Sequence, residues 1–191
     1  MAVLNNINVK RYFLLSACLI LSLPYRALGD ESPETTKVSQ VKETLNKTWE
    51  STIYEPYVPI NTCHNRSFYS AEKIDTINEE PWGIGVGKYR FDDDGDWNGL
   101  YAMAFQDSHR RIQPVFGFGF EKMWYPTENT RLGAGYTVGF TMRQAMHYMP
   151  LPGIVPLLSV EYKQLALQST YIPGGRDSGN VLFTWLRWQF N

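Results

Sequence analysis

Residues 116–120 read Phe-Gly-Phe-Gly-Phe. A helix would scatter the three rings around its circumference, whereas a strand sends all three to one face and both glycines to the other. The arrangement recurs on either side. Trp82, Ile84 and Val86 alternate with Gly83, Gly85 and Gly87, and Leu132, Tyr136, Val138 and Phe140 alternate with Gly133, Gly135, Thr137 and Gly139. Large apolar groups on one face suit lipid tails, and glycine on the opposite face strips side chains from a lumen, as in a membrane β-barrel.

From this stretch outward the chain divides into segments of the roughly 9–11 residues that a tilted membrane strand needs, separated by turn residues. They span 57–68, 82–91, 97–106, 113–125, 131–142, 154–162, 164–172 and 180–190. The connections at 92–96, 126–130 and 163 are short, and those at 69–81, 107–112, 143–153 and 173–179 are mostly longer. Outer-membrane barrels keep short turns at the periplasm and long loops outside. The expected fold is therefore an all-β, eight-stranded antiparallel transmembrane β-barrel, occupying 54–191, with its long loops outward.

Composition agrees with a patterned membrane protein. Aromatics make up 15% of the 191 residues, while Lys+Arg 18 against Asp+Glu 19 leaves almost no net charge. A nucleic-acid partner is not expected, because such proteins carry a basic excess against phosphate. At the N-terminus Lys10 and Arg11 precede an apolar run from Tyr12 to Leu23 and the small residues Ala27 and Gly29. The run is shorter than the roughly 20 residues of a spanning helix, so 1–29 reads as an export signal. Its removal takes Cys18 and leaves Cys63 without a disulfide partner, a filler residue. Residues 30–53 comprise a polar tether to 37 and then an amphipathic helix. Val38, Val41, Leu45 and Trp49 recur at helical spacing with Lys42, Glu43 and Lys47 on the remaining surface, which fits an interfacial helix on the periplasmic side.

Two tempting motifs are set aside. Gly83-x-Gly85-x-Gly87 lacks the spacing and the following helix of a nucleotide site, and the acidic run 92–96 lacks the glutamate that closes an EF-hand loop. Neither a cofactor nor a metal is expected.

The stretch 99–108, which runs from the third segment into the loop after it, reads Gly-Leu-Tyr-Ala-Met-Ala-Phe-Gln-Asp-Ser and ends in an acid and a hydroxyl. Strand directions bring Asp107 and Ser108 to the same outer rim as His64, Lys73 and Arg143. A histidine, an acid and a hydroxyl above an apolar tube suit acyl transfer, with imidazole as general base and the carboxylate as its orienter. Asp107 and Ser108 are neighbours that point oppositely in a strand, which makes a linear Ser-His-Asp relay awkward. Direct transfer without an acyl-enzyme is the expectation, His64 deprotonating the acceptor.

The chain resembles the lipid A palmitoyltransferase (PagP) family of outer-membrane enzymes from 38 to 190. The resemblance is carried by Tyr57-Val58-Pro59-Ile60 leading to His64, by Glu80-Pro81-Trp82-Gly83, by 98–105 with Asp107-Ser108, by Pro150-Leu151-Pro152, by Thr170-Tyr171-Ile172-Pro173-Gly174 and by Gly179-Asn180-Val181. It implies a monomeric barrel in the outer membrane of a Gram-negative bacterium, its active site facing the outer leaflet. The barrel would move a palmitoyl chain from the sn-1 position of a phospholipid to lipid A. The essential histidine, aspartate and serine of the family fall on His64, Asp107 and Ser108, and the glycine at the floor of its acyl-chain gauge falls on Gly119. Prolines that interrupt pairing for lateral lipid access fall on Pro59, Pro81, Pro156 and Pro173, with the last two beside the phospholipid. Lys73 and Arg143 match basic loop residues suited to lipid A phosphates. Glu80, and His109-Arg110-Arg111 in place of a Trp-rich loop, depart from the family pattern. A non-catalytic lipid-binding or structural barrel would show the same strands without using His64; a soluble lipocalin-like carrier would not present the 116–120 rings outward.

Overall fold

A computed structural model describes residues 33–176 and 178–190; the expected export signal at 1–29 lies outside them. The chain divides into two compact units between Gln40 and Val41, a boundary inside the first helix.

Helix α1 spans Pro33–Glu50, so it begins inside the stretch expected to be a tether. Proline is at home in a first helical turn, where its missing N–H costs nothing. Within the second unit the helix leaves Val41 and Trp49 exposed, apolar groups suited to an interface rather than a core. Lys88 Nζ reaches the Trp49 carbonyl at 2.8 Å and lies 5.3 Å from its ring centre.

Eight strands follow: β1 Tyr54–His64, β2 Gly83–Phe91, β3 Trp97–Gln106, β4 Ile112–Thr127, β5 Thr130–Met142, β6 Pro150–Tyr162, β7 Leu165–Ile172 and β8 Val181–Trp188. Each pairs antiparallel with the next, and β1 pairs with β8 to close the barrel. The main departure from expectation is β1, which starts earlier and stops at His64 because Asn65 opens a turn, accepting from Phe68 N at 2.9 Å and, through Oδ1, from Ser67 N at 3.0 Å. The loop 65–82 also holds a short helix, α2 Ala71–Ile74, capped by Ser70.

The two faces separate as the alternation requires. Trp82, Ile84, Val86, Phe116, Leu132, Tyr136, Val138, Phe140, Ile154 and Leu158 are exposed on the outer surface, and Phe116 stacks on Phe140 across β4 and β5 at 5.3 Å. Near the inner ends Trp124, Tyr125, Tyr162 and Trp188 form an exposed aromatic girdle. The acidic run is a folded turn: the Asp92 carboxylate accepts from Asp94 N, Asp96 N and Asn98 Nδ2, and Asp96 pairs with Lys122 at 3.0 Å.

Inside, the material is layered. Tyr57, Trp97, Met103, Phe105, Leu157, Phe183 and Trp185 form an apolar middle, with Phe105 stacked on Phe183 at 4.5 Å. Toward the inner end it gives way to buried ions. Arg187 binds Glu55 at 3.0 Å, Glu161 at 2.8 Å and Glu121 at 3.5 Å, while Arg131 reaches the other oxygen of Glu161 at 2.7 Å.

The inward glycines do not all leave space. A Cβ on Gly87 would meet the Tyr57 ring at 2.8 Å, and one on Gly85 would run into Met103, so in β2 glycine admits its neighbours' side chains. On β4 the same holds, with Tyr101 Oη 2.6 Å from the place of a Gly117 Cβ and Trp97 Cζ3 2.8 Å from that of Gly119, whereas a Cβ on Gly153 of β6 would meet nothing within 4 Å. The lumen expected to be partly hollow holds large groups on β1, β3, β6 and β8, which fill the space left by Gly85, Gly87, Gly117 and Gly119, and is open beside Gly153.

Candidate active site

The site depends on an irregularity in β1. From its start the strand sends Glu55, Tyr57 and Pro59 inward, odd residues all. Uninterrupted alternation would then place Cys63 inside and His64 outside. The register against β8 shifts between Pro59 and Asn61, with Pro59 opposite Trp185 and Asn61 opposite Thr184. This bulge reverses the parity, so Thr62 and His64 are buried and Cys63 is exposed.

His64 is 3% exposed, and each ring nitrogen has a partner. Nε2 lies 3.0 Å from Ser108 Oγ, and Nδ1 lies 3.0 Å from Glu79 Oε1. Tyr69 packs edge-on against the ring at 5.0 Å. Glu79 comes from the far end of loop 65–82, which crosses the rim: its carbonyl accepts from Thr62 N at 2.9 Å, and Asn78 N donates to Ser108 O at 2.9 Å. Arg66 donates to both Glu79 oxygens, with Nη1 3.0 Å from Oε1. Burial alone would raise the Glu79 carboxyl, but the hydrogen bonds from Arg66 and from the His64 backbone and ring outweigh it and hold it below the ordinary value.

The carboxylate beside the imidazole is thus Glu79, not Asp107 as expected. Asp107 Oδ1 accepts from His109 N at 2.8 Å and Arg111 N at 2.9 Å, and its own N–H donates to Arg111 O. It builds the turn that carries Ser108. No spacing in the sequence marks Glu79, because only loop closure returns it to His64.

The remaining candidates fall into three groups. Lys73 lies on α2 and Arg143 just past β5; with Arg111 both act on His109, whose pKa is lowered first by burial and then by these three cations, against Asp107. Gly119 is buried, and a Cβ there would stand 2.8 Å from Trp97 Cζ3 and 3.1 Å from Leu157 Cδ1. The four prolines border two breaks in the wall. Pairing of β1 with β2 ends at Tyr57 opposite Gly85, leaving the outer part of β1 beyond Pro59 unpaired with β2 and tied instead to Glu79 through Thr62 N and His64 N, with Pro81 just before β2. Pairing of β6 with β7 begins at Leu157 opposite Thr170, leaving 150–156 unpaired on that side, with Pro156 at the edge and Pro173 just past β7.

A family model described as "Antimicrobial peptide resistance and lipid A acylation protein PagP" matches residues 44–187, taking in every strand from β1 to β7 and nearly all of β8. A "Lipid A acyltransferase PagP" of Laribacter hongkongensis is 56% identical over 147 residues, covering 77% of this chain and 71% of that protein. Proteins of the same description from Proteus mirabilis and Yersinia enterocolitica are 52% identical over 162 residues and 51% over 148, covering 83% and 76% of this chain and 76% and 72% of theirs.

Proposed function

The chain belongs to the PagP family, and from that premise we propose that it is an outer-membrane acyltransferase that moves a palmitoyl chain from the sn-1 position of a glycerophospholipid to lipid A. It works as a monomer in a Gram-negative outer membrane, with its site facing the outer leaflet. The observation that carries the reading is the hydroxyl–imidazole contact, Ser108 Oγ to His64 Nε2 at 3.0 Å, at the rim of an apolar barrel. General base and hydroxyl are within the reach that proton transfer requires.

The donor reaches the lumen sideways through the break between Pro156 and Pro173, where no ladder hydrogen bond has to be broken. Its acyl chain passes Gly153, where the lumen is open, with its end toward Gly119, Trp97 and Leu157. Lys73 and Arg143 meet the lipid A phosphates. His64 Nε2 then takes the proton of the lipid A hydroxyl as its oxygen attacks the sn-1 carbonyl. The ester C–O bond to glycerol breaks, and the proton passes from His64 to the glycerol oxygen, releasing a lysophospholipid. Asp107 holds the turn that keeps Ser108 on the ring.

A second order of events is favoured by the Ser108 contact itself: Ser108 attacks first, and lipid A then takes the acyl group from its oxygen. A palmitoyl group trapped on Ser108 in a stalled reaction would establish that route. The function itself is tested by mass spectrometry of lipid A from cells with and without the protein. A gain of one palmitoyl mass, lost in His64→Ala and Ser108→Ala while heat-resistant barrel migration persists, is the expected result. No gain with an intact barrel would leave the non-catalytic lipid-binding reading.

A further inference from the structure

We infer that Glu79 is a positioning residue of the transfer, fixing His64 as the tautomer that carries its proton on Nδ1 and presents a bare Nε2 to the reacting hydroxyl. The inference deepens the acyltransferase reading and rests on it.

The geometry is a linear array in which Glu79 Oε1 lies 3.0 Å from His64 Nδ1 and His64 Nε2 lies 3.0 Å from Ser108 Oγ. An ionised carboxylate only accepts hydrogen bonds, so the imidazole nitrogen facing it must be the donor. In the neutral ring the other nitrogen is then the acceptor, and Ser108 is left as the donor to it. The proton inventory of the array follows from one residue's charge. When Nε2 takes up a proton during transfer, the imidazolium forms against an anion already in contact with its far side, the service a carboxylate gives to a base–nucleophile pair.

Three further contacts show that this carboxylate is held for the purpose. The same Oε1 accepts from the His64 backbone N–H at 2.9 Å, so one oxygen fixes both the ring and the main chain that carries it. Arg66 grips both oxygens from the opposite side, a charge-assisted fork that keeps the carboxylate ionised and oriented. The Glu79 carbonyl is itself tied to Thr62 N at 2.9 Å, two residues before the histidine. Asp107 cannot supply the function through Oδ1, which is committed to two backbone N–H groups of the turn. Glu79 touches no reacting atom; it acts through His64.

The test uses the full barrel in detergent micelles with phospholipid donor and lipid A acceptor, alongside 15N NMR of the His64 ring. Glu79→Ala is expected to lower kcat by about 10²–10⁴-fold at unchanged donor KM, with the proton of the neutral ring moving to Nε2. Glu79→Gln keeps an acceptor oxygen at nearly the same shape without the charge. It is expected to retain the Nδ1–H tautomer and show a smaller loss in kcat. Wild-type kcat and tautomer in Glu79→Ala would overturn the inference, as would lost activity in a folded Glu79→Ala barrel whose ring tautomer is unchanged, since that assigns Glu79 to loop packing alone. Should Glu79→Ala lose the heat-resistant migration of the folded barrel, Glu79→Gln decides: a kcat loss at unchanged KM supports the inference, and wild-type kcat refutes it. Absence of any transfer by the wild-type barrel is a different failure, since it refutes the acyltransferase reading while the ring tautomer remains measurable.

Discussion

Replacing Arg187 by methionine isolates the buried ions beneath the apolar middle. The side chain is 0% exposed, and its guanidinium lies 4.1 Å from the Trp97 ring centre. Nη1 donates to Glu55 at 3.0 and 3.3 Å, and Nη2 donates to Glu161 at 2.8 Å and Glu121 at 3.5 Å. Methionine keeps most of the aliphatic stem, so the change is one of charge more than of cavity. Glu161 would keep Arg131 at 2.7 Å. Glu55 would be left with the Tyr57 hydroxyl at 2.6 Å, and Glu121 with Ser159 at 3.0 Å and Gln168 at 2.7 Å, all neutral partners. Removing one partner of a buried ion pair costs about 3–5 kcal/mol because the other charge is stranded, or roughly two to four powers of ten in the unfolding equilibrium. Urea unfolding of the refolded barrel in lipid vesicles, followed by tryptophan fluorescence and by heat-resistant migration, reads this as a lower midpoint at unchanged slope. Adding Glu55→Gln should recover part of the loss. A midpoint shift worth under about 1 kcal/mol would show that the cluster behaves like a surface pair, and the reasoning from burial would fail.

Two further predictions follow from the upper barrel. In Gly119→Met the new side chain cannot displace the buried Trp97 below it and must rise into the bore. Each methylene kept out forfeits about 0.8 kcal/mol, so competition between donors read by lipid A mass should shift from palmitoyl to shorter chains; unchanged palmitoyl preference in a folded barrel would remove Gly119 from the acyl path. The second concerns acid. Because Glu79 titrates below its ordinary value, its contribution is complete above the unfolded-state pKa and is lost as pH falls through the lower folded one. Protease clipping within 65–82 should therefore be flat from neutral pH to the ordinary glutamate range and rise only in stronger acid; a rise near neutrality would contradict it.

The strand pattern was legible because glycine and large apolar residues alternate with a period that no helix shares. Strand β3 runs over the residues expected of it, Trp97–Gln106. What the alternation could not reveal is the bulge after Pro59, which puts His64 on the lumen side although simple counting from Tyr57 sends it out. The ionic layer was equally hidden. Glu55, Glu121, Glu161 and Arg187 sit on four strands, and each alone reads as a solvated residue until barrel closure brings them within 3.5 Å. Glu79 escaped for a related reason: its partner is fixed by how loop 65–82 folds back, and periodicity carries no information about that. The glycines were legible in position but ambiguous in purpose, since a missing side chain admits Tyr57 and Met103 in β2 and Tyr101 and Trp97 on β4, whereas at Gly153 of β6 it leaves open space.

The two interrupted seams occur only in the outward half of the cylinder, while the inward half is laced all round and clamped by ions. Cohesion and traffic are thereby assigned to different heights. In the proposed function lipids enter and leave through the loosened collar without loosening the base that keeps the cylinder round. Damage to the base should melt the protein, whereas damage to the collar should leave it standing and starve it of substrate.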